Sequence, residues 1–158
     1  MRYRSNNEKK ISRLLIKRGQ TLSVAESCSG GLLADHLTDI PGSSKYFKGG
    51  VVAYANEVKV KILRVPSALI KKYGAVSRPV AELMANHVRK IFKTDFGVSI
   101  TGIAGPSGGT KEKPVGLTYI AISKKGKLLS REYRFRGTRR QIKTKAAASA
   151  LKFLLKIL

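Results

Sequence analysis

Extended and helical spacing alternate along the first half of this chain, and that alternation limits the folds open to it. Residues 6–18 place Ile11, Leu14 and Leu15 at helical spacing, with Ile16 less regular, and Gly19 ends the run. Residues 21–25 (TLSVA) read as a short buried strand. A polar turn, Glu26-Ser27-Cys28-Ser29-Gly30-Gly31, leads into a helix over about 32–38, and Pro41-Gly42 breaks the chain after it. The Gly-Gly and Val-Val pairs within 46–54 predict a second strand with close backbone approach. Short helices follow over about 56–63, with Asn56 as a possible N-cap, and from Pro66-Ser67 to near Gly74. Ser77 with Pro79 just inside starts a longer helix ending near Phe92. A strand over 96–100 runs into a long loop, and strands near 116–123 and 127–135 flank a Lys124-Lys125-Gly126-Lys127 hairpin turn. The last helix starts at Thr138 and carries Ile142, Ala146, Ala150 and Leu151 on one face. The order α-β-α-β-α-α-α-β-β-β-α predicts an α/β chain: a single three-layer α/β/α domain over 1–158, with a mixed β-sheet between helix layers.

At 158 residues, 42% hydrophobic and with 15 glycines, the chain is long enough to bury a core. No apolar run approaches the roughly 20 residues that span a bilayer. The basic N-terminal stretch lacks an apolar h-region and a small-residue cleavage site, so a cytoplasmic location is expected. Cys28 is the one cysteine, which excludes an internal disulfide. With it stand two isolated histidines, His36 and His87, and no D-x-D pair; no metal or cofactor is expected. The charge is the odd feature, 32 Lys+Arg against 9 Asp+Glu, a net +23. Such a field attracts nucleic acid, anionic membrane or an anionic small molecule. The lysines are spread along the chain, however, and no nucleic-acid-binding signature accompanies them. Nucleic acid is therefore expected only as nonspecific, charge-driven binding.

Three segments can carry chemistry. The first, GSSKYFKGGVVAYANEVK over 42–59, holds Ser43, Ser44, Tyr54, Asn56 and Lys59 on either side of an apolar run. A serine needs a base within hydrogen-bond reach, and a lysine kept neutral by burial can be that base. The second, AESCSGG, sets Ser27 where a strand ends. It is like a nucleophile elbow without the G-x-S-x-G spacing, or else Ser27 or Ser29 caps the next helix. Glu26 could hydrogen-bond backbone amides in that turn, and Cys28 reads as a small buried filler. The third, TGIAGPSGGTKEKPVG, packs five glycines and two prolines into sixteen residues. It is a flexible surface loop or an anion nest, with Thr101, Ser107 and Thr110 as hydroxyl donors.

AESCSGG, LTDIPGSSKYFKGGVVAYANEVK, YGAVS, TGIAGPSGGTKEKPVG and FRGTRRQI occur here in order. Together they resemble the C-terminal domain of the CinA family, the competence/damage-inducible proteins. That domain also occurs alone as nicotinamide-nucleotide amidase (NMN deamidase). The resemblance covers roughly residue 7 to the end, without the N-terminal nucleotide-processing domain of long CinA proteins. It implies hydrolysis of the carboxamide of nicotinamide mononucleotide to nicotinate mononucleotide and ammonia, by serine and lysine without metal. Carried onto this sequence, Ser44 is the expected nucleophile, Lys59 its base, and Tyr54 positions or relays the proton. Ser27 is the rival nucleophile, or else binds substrate. Glu26, Ser29, Gly30 and Asn56 are expected on the substrate. Thr101, Gly102, Gly105, Gly108 and Gly109 would shape the nucleotide pocket, and Arg139 would meet the phosphate. The family resemblance also implies a three-layer α/β/α fold and a homo-oligomer. Ser29 stands where most relatives carry threonine, which keeps the hydroxyl. The alternative is a non-catalytic, nucleotide-sensing or DNA-uptake-associated module.

Overall fold

The computed structural model describes residues 6–158. Among them a single five-stranded sheet runs in the order β2-β1-β3-β4-β5. Its strands are β1 (Leu22–Glu26), β2 (Phe47–Val52), β3 (Phe96–Gly102), β4 (Leu117–Lys124) and β5 (Lys127–Arg134). β1 pairs in parallel with both β2 and β3, whereas β4 and β5 add on antiparallel. The sheet is therefore mixed, as the element order predicts. β1 lies between two parallel neighbours under helices on both faces, and all five of its residues are buried.

Six helices flank the sheet among the described residues: α1 (Asn6–Arg18), α2 (Leu32–Thr38), α3 (Asn56–Lys61), α4 (Ser67–Tyr73), α5 (Arg78–Phe92) and α6 (Arg139–Ile157). On one face Ile11 and Leu15 of α1, Leu33 and Leu37 of α2, and Ile142, Ala146 and Leu151 of α6 join Val24, Val98, Ile100 and Ile120. Each fully buried Leu or Ile there contributes about 1.5–3 kcal/mol of hydrophobic stabilisation. On the other face Val80, Met84 and Val88 of α5 meet Ala25, Ala53, Leu63 and Val65. Here small residues let α5 lie close on the sheet. A Cβ on Gly97 would fall 2.2 Å from the Ala85 carbonyl oxygen, and Ser99 Oγ donates to the Ala81 carbonyl at 2.6 Å. Alanine at 97 would push the helix away. No helix among the described residues is long and apolar enough to cross a membrane.

Helix ends follow the sequence signals with two exceptions. Thr138 forms a capping box with Gln141, which fixes the start of α6. Asn56, the expected N-cap of α3, is instead its first helical residue; Ala55 occupies the cap and makes no side-chain bond. Ser77 does precede α5, but its hydroxyl turns back to the Gly74 carbonyl at 2.8 Å.

Strand register brings three chain ends to one place. Glu26 is opposite Val52 on one side and Ile100 on the other, so β1 and β2 end level and β3 runs on past them to Gly102 at the same edge. Two bonds carry that alignment past the strands: Ser27 N donates to the Ile100 carbonyl (3.0 Å) and Ala53 N to the Glu26 carbonyl (2.7 Å). Open α/β sheets bind ligands outside this edge.

Candidate active site

Three chain segments leave the sheet at that edge, and a pocket of about 230 Å³ opens between them. Ser27 and Cys28 come from the turn after β1. Tyr54, Asn56 and Lys59 come from the connection after β2 and from α3. Thr101, Gly102 and Ala104 come from the end of β3 and the loop beyond, with Ala75, Val76 and Arg139 completing the wall. A larger cleft of about 390 Å³ lies elsewhere, between Arg64, His87, Lys90 and Ile91, and it holds no hydroxyl or thiol.

Lys59 is the centre of the pocket. Its side chain is among the largest fully buried ones, 1% exposed. Nζ lies 3.1 Å from Ser27 Oγ, 2.7 Å from the Ala53 carbonyl and 3.2 Å from the Tyr54 carbonyl. Among the described residues no carboxylate pairs with it, and burial penalises the ammonium and holds its pKa below the ordinary lysine range. The neighbouring Cys28 opposes that shift more weakly. A neutral amine has two N–H donors and one lone pair. As an ammonium Lys59 donates to all three oxygens; in the neutral form, with both N–H groups on the carbonyls, its lone pair would face the Ser27 hydroxyl, the one partner that can donate. Cys28 Sγ is also buried, and burial pushes its thiol up to about 11, which keeps it protonated and unreactive.

The chain matches the model of the CinA C-terminal domain over residues 4–158. This protein belongs to the CinA C-terminal domain family. It is 50% identical over 147 residues to a CinA-like protein of Dictyoglomus thermophilum, which covers 93% of this chain and 36% of the relative. The chain thus spans about a third of the length of the curated relatives it matches. Its fold is similar to the competence/damage inducible protein CihA of Agrobacterium tumefaciens, with a TM-score of 0.91 at 37% identity. That match covers 99% of this chain and 98% of the other. A CinA superfamily protein of Escherichia coli superposes with a TM-score of 0.92 at 32% identity, covering 100% and 93% of the two chains.

Within this CinA-type site the motif residues divide sharply. Ser44, expected as the nucleophile, does not line the pocket. It sits exposed in a 3-10 turn (Ser43–Lys45) that precedes β2, at the opposite end of that strand from Lys59. The hydroxyl beside Lys59 is Ser27. Tyr54 touches Lys59 only through its backbone carbonyl. The residue is 57% exposed at the rim, where its hydroxyl accepts from Arg139 at 2.7 Å. Arg139 also donates to the Gly105 carbonyl at 2.7 Å, so its guanidinium clasps the Gly-rich loop to Tyr54.

Glu26, expected on the substrate, is fully buried outside the pocket. Its carboxylate accepts from the amides of Gly31 (3.1 Å), Leu33 (3.0 Å) and Ala34 (2.8 Å), and so holds the start of α2. This is the amide-binding role that its place in the turn allows. Ser29 and Gly30 line a neighbouring cleft with Asp35, Arg140 and Lys143 rather than the Ser27 pocket. Thr101 and Gly102 do line the pocket, but the Thr101 hydroxyl is spent on the Ala75 carbonyl at 2.9 Å. Gly108 and Gly109 lie away from it, Gly109 packed against Val115. Ala75 and Val76 are pocket residues that sequence reasoning missed as site residues, although they sit in the YGAVS motif that helped carry the resemblance.

Proposed function

We propose that this protein is a serine–lysine amidase that hydrolyses the carboxamide of nicotinamide mononucleotide, with Ser27 as nucleophile and Lys59 as its base. The observation that carries this reading is the Lys59–Ser27 contact of 3.1 Å, made by a buried lysine that pairs with no carboxylate among the described residues. A buried amine aimed at a pocket hydroxyl is the arrangement of a general base.

The steps follow from the bonds available. Lys59 takes the Ser27 proton as Ser27 Oγ attacks the carboxamide carbon. The oxyanion that forms requires donors pointing into the turn. The backbone N–H of Cys28, the residue beside Ser27 in the pocket wall, is the candidate donor. Lys59, now an ammonium stabilised by the Ala53 and Tyr54 carbonyls, returns the proton to the leaving nitrogen, and ammonia departs. Water, activated by the same amine, releases the nicotinate product from the acyl-Ser27 intermediate. The net +23 charge draws the phosphate-bearing substrate toward the pocket. On this reading the enzyme needs no metal and works in the cytoplasm as a homo-oligomer.

The test is ammonia release from nicotinamide mononucleotide by purified protein, with nicotinate mononucleotide followed as the co-product. Wild type is expected to form the two in equal amounts, and Lys59→Ala to form neither. A folded wild-type protein that binds the nucleotide without releasing ammonia would overturn the amidase reading and leave a binding module.

A further inference from the structure

Beyond Tyr73, the last residue of α4, the chain is irregular up to α5, yet side chains hold the four successive carbonyls of residues 73–76. Lys113 Nζ, from the Gly-rich loop, donates to the carbonyls of Tyr73 and Val76, the second at 2.8 Å. Ser77 Oγ takes the Gly74 carbonyl (2.8 Å), and Thr101 Oγ1 takes that of Ala75 (2.9 Å). Two residues of this segment, Ala75 and Val76, form pocket wall. The lysine is itself anchored at its root. Its amide donates to Thr110 Oγ1 at 3.0 Å and its carbonyl accepts from Thr110 N at 2.8 Å, a tight local turn. Gly74, at φ 79°, leaves room for the ammonium, since a Cβ there would fall 2.7 Å from Nζ.

We infer that Lys113 is a positioning residue, whose ammonium straps the Gly-rich loop to segment 73–76 and so sets the wall that Ala75 and Val76 give the substrate pocket. Lys113 does not line the pocket and acts only through Ala75 and Val76. An ammonium shared between two carbonyls makes charge-assisted bonds, stronger than neutral ones, and here it joins two loops that no backbone ladder connects. Thr101 fixes the same wall from the end of β3, so the segment is held from two directions. The strap affects how well substrate is seated, whereas Ser27 and Lys59 keep their contact without it. This inference rests on the amidase reading for its kinetic consequence, but not for its structural one.

Two measurements test it. In Lys113→Met, which keeps the stem and removes the donors, KM for nicotinamide mononucleotide should rise about tenfold with kcat within about twofold. Lys113→Arg, which can still reach two carbonyls, should restore most of the loss. Hydrogen–deuterium exchange of a peptide covering 72–79 should be faster in the Met variant and return toward wild type in the Arg variant. Lys113→Gln serves if the Met variant fails to fold. Unchanged exchange at 72–79 would overturn the strap, and so would a fall in kcat at constant KM. If wild type releases no ammonia, the amidase reading fails by itself, and the exchange comparison alone decides the strap.

Discussion

The turn at 26–31 and the turn at 42–45 are alike in composition and opposite in consequence. Both carry serine and glycine beside an apolar strand, and both look in isolation like places for an activated hydroxyl. The first leaves the carboxyl end of β1, and Ser27 comes within 3.1 Å of Lys59 Nζ. The second enters the amino end of β2, while Lys59 follows the carboxyl end of that same strand. β2 has six residues. At about 3.3 Å per residue its length is roughly 20 Å, far beyond the reach of either side chain. The difference lies in strand direction and not in residue type.

The sharpest way to break this comparison is to exchange the two hydroxyls for hydrogen. Ser27→Ala should lower kcat/KM for nicotinamide mononucleotide by about a thousandfold or more, as loss of a nucleophile does, while Ser44→Ala stays within about twofold. Activity lost at Ser44 and retained at Ser27 would reverse the assignment. The pH dependence sharpens the role of the base. Lys59 must be neutral to accept the Ser27 proton, so kcat/KM should rise as pH passes up through its lowered pKa and level off above it. A profile that shows no such rise below the plateau, or one that falls as pH increases through that range, would remove Lys59 as the base.

The same lowered pKa predicts a smaller, thermodynamic effect. Between the folded and unfolded values of Lys59 the unfolded chain binds the extra proton, so stability contributed by this residue is present above its ordinary pKa and lost as pH falls through the lowered one. Urea unfolding at several alkaline pH values should show stability rising with pH, with a shallower slope in Lys59→Met. The third contrast concerns how each turn is held. Glu26→Gln weakens the three amide contacts that anchor α2 behind Ser27 and should cost about 1–3 kcal/mol in urea unfolding. Ser44→Ala, at an exposed site, should change stability by no more than about 0.5 kcal/mol.

Much of the site was legible, though not its pairing. Lys59 stood out because burial can make a lysine a base, and its buried, lowered-pKa position agrees with that reason. Arg139 was expected at the site and lines the pocket, but its guanidinium is engaged by Gly105 and Tyr54. Ser44 was favoured over Ser27 through proximity along the chain, which is a poor guide across a strand. A usable signal was present. Strand, helix and strand in succession over 21–54 make a βαβ unit, which requires parallel strands, and parallel strands bring their carboxyl ends to one edge. That rule puts Ser27 and the start of α3 at one edge and Ser44 at the other, without showing which side chains meet. Glu26 was less accessible to such reasoning, because a carboxylate at a strand end can face either a ligand or the next helix.

By itself the sequence determined the order of elements, their approximate ends, the mixed α/β class and the motifs that mark the CinA C-terminal domain. These are local properties, written in the 3.6- and 2-residue spacing of apolar side chains, in capping residues such as Thr138, and in short contiguous runs. Only the tertiary structure decided which hydroxyl meets Lys59, that Glu26 serves α2, that Thr101 and Lys113 hold segment 73–76, and that Ala75 and Val76 wall the pocket. Those contacts join residues distant in the chain. They depend on which strand ends share an edge and on how far a side chain reaches once the layers have packed, and no local pattern encodes either.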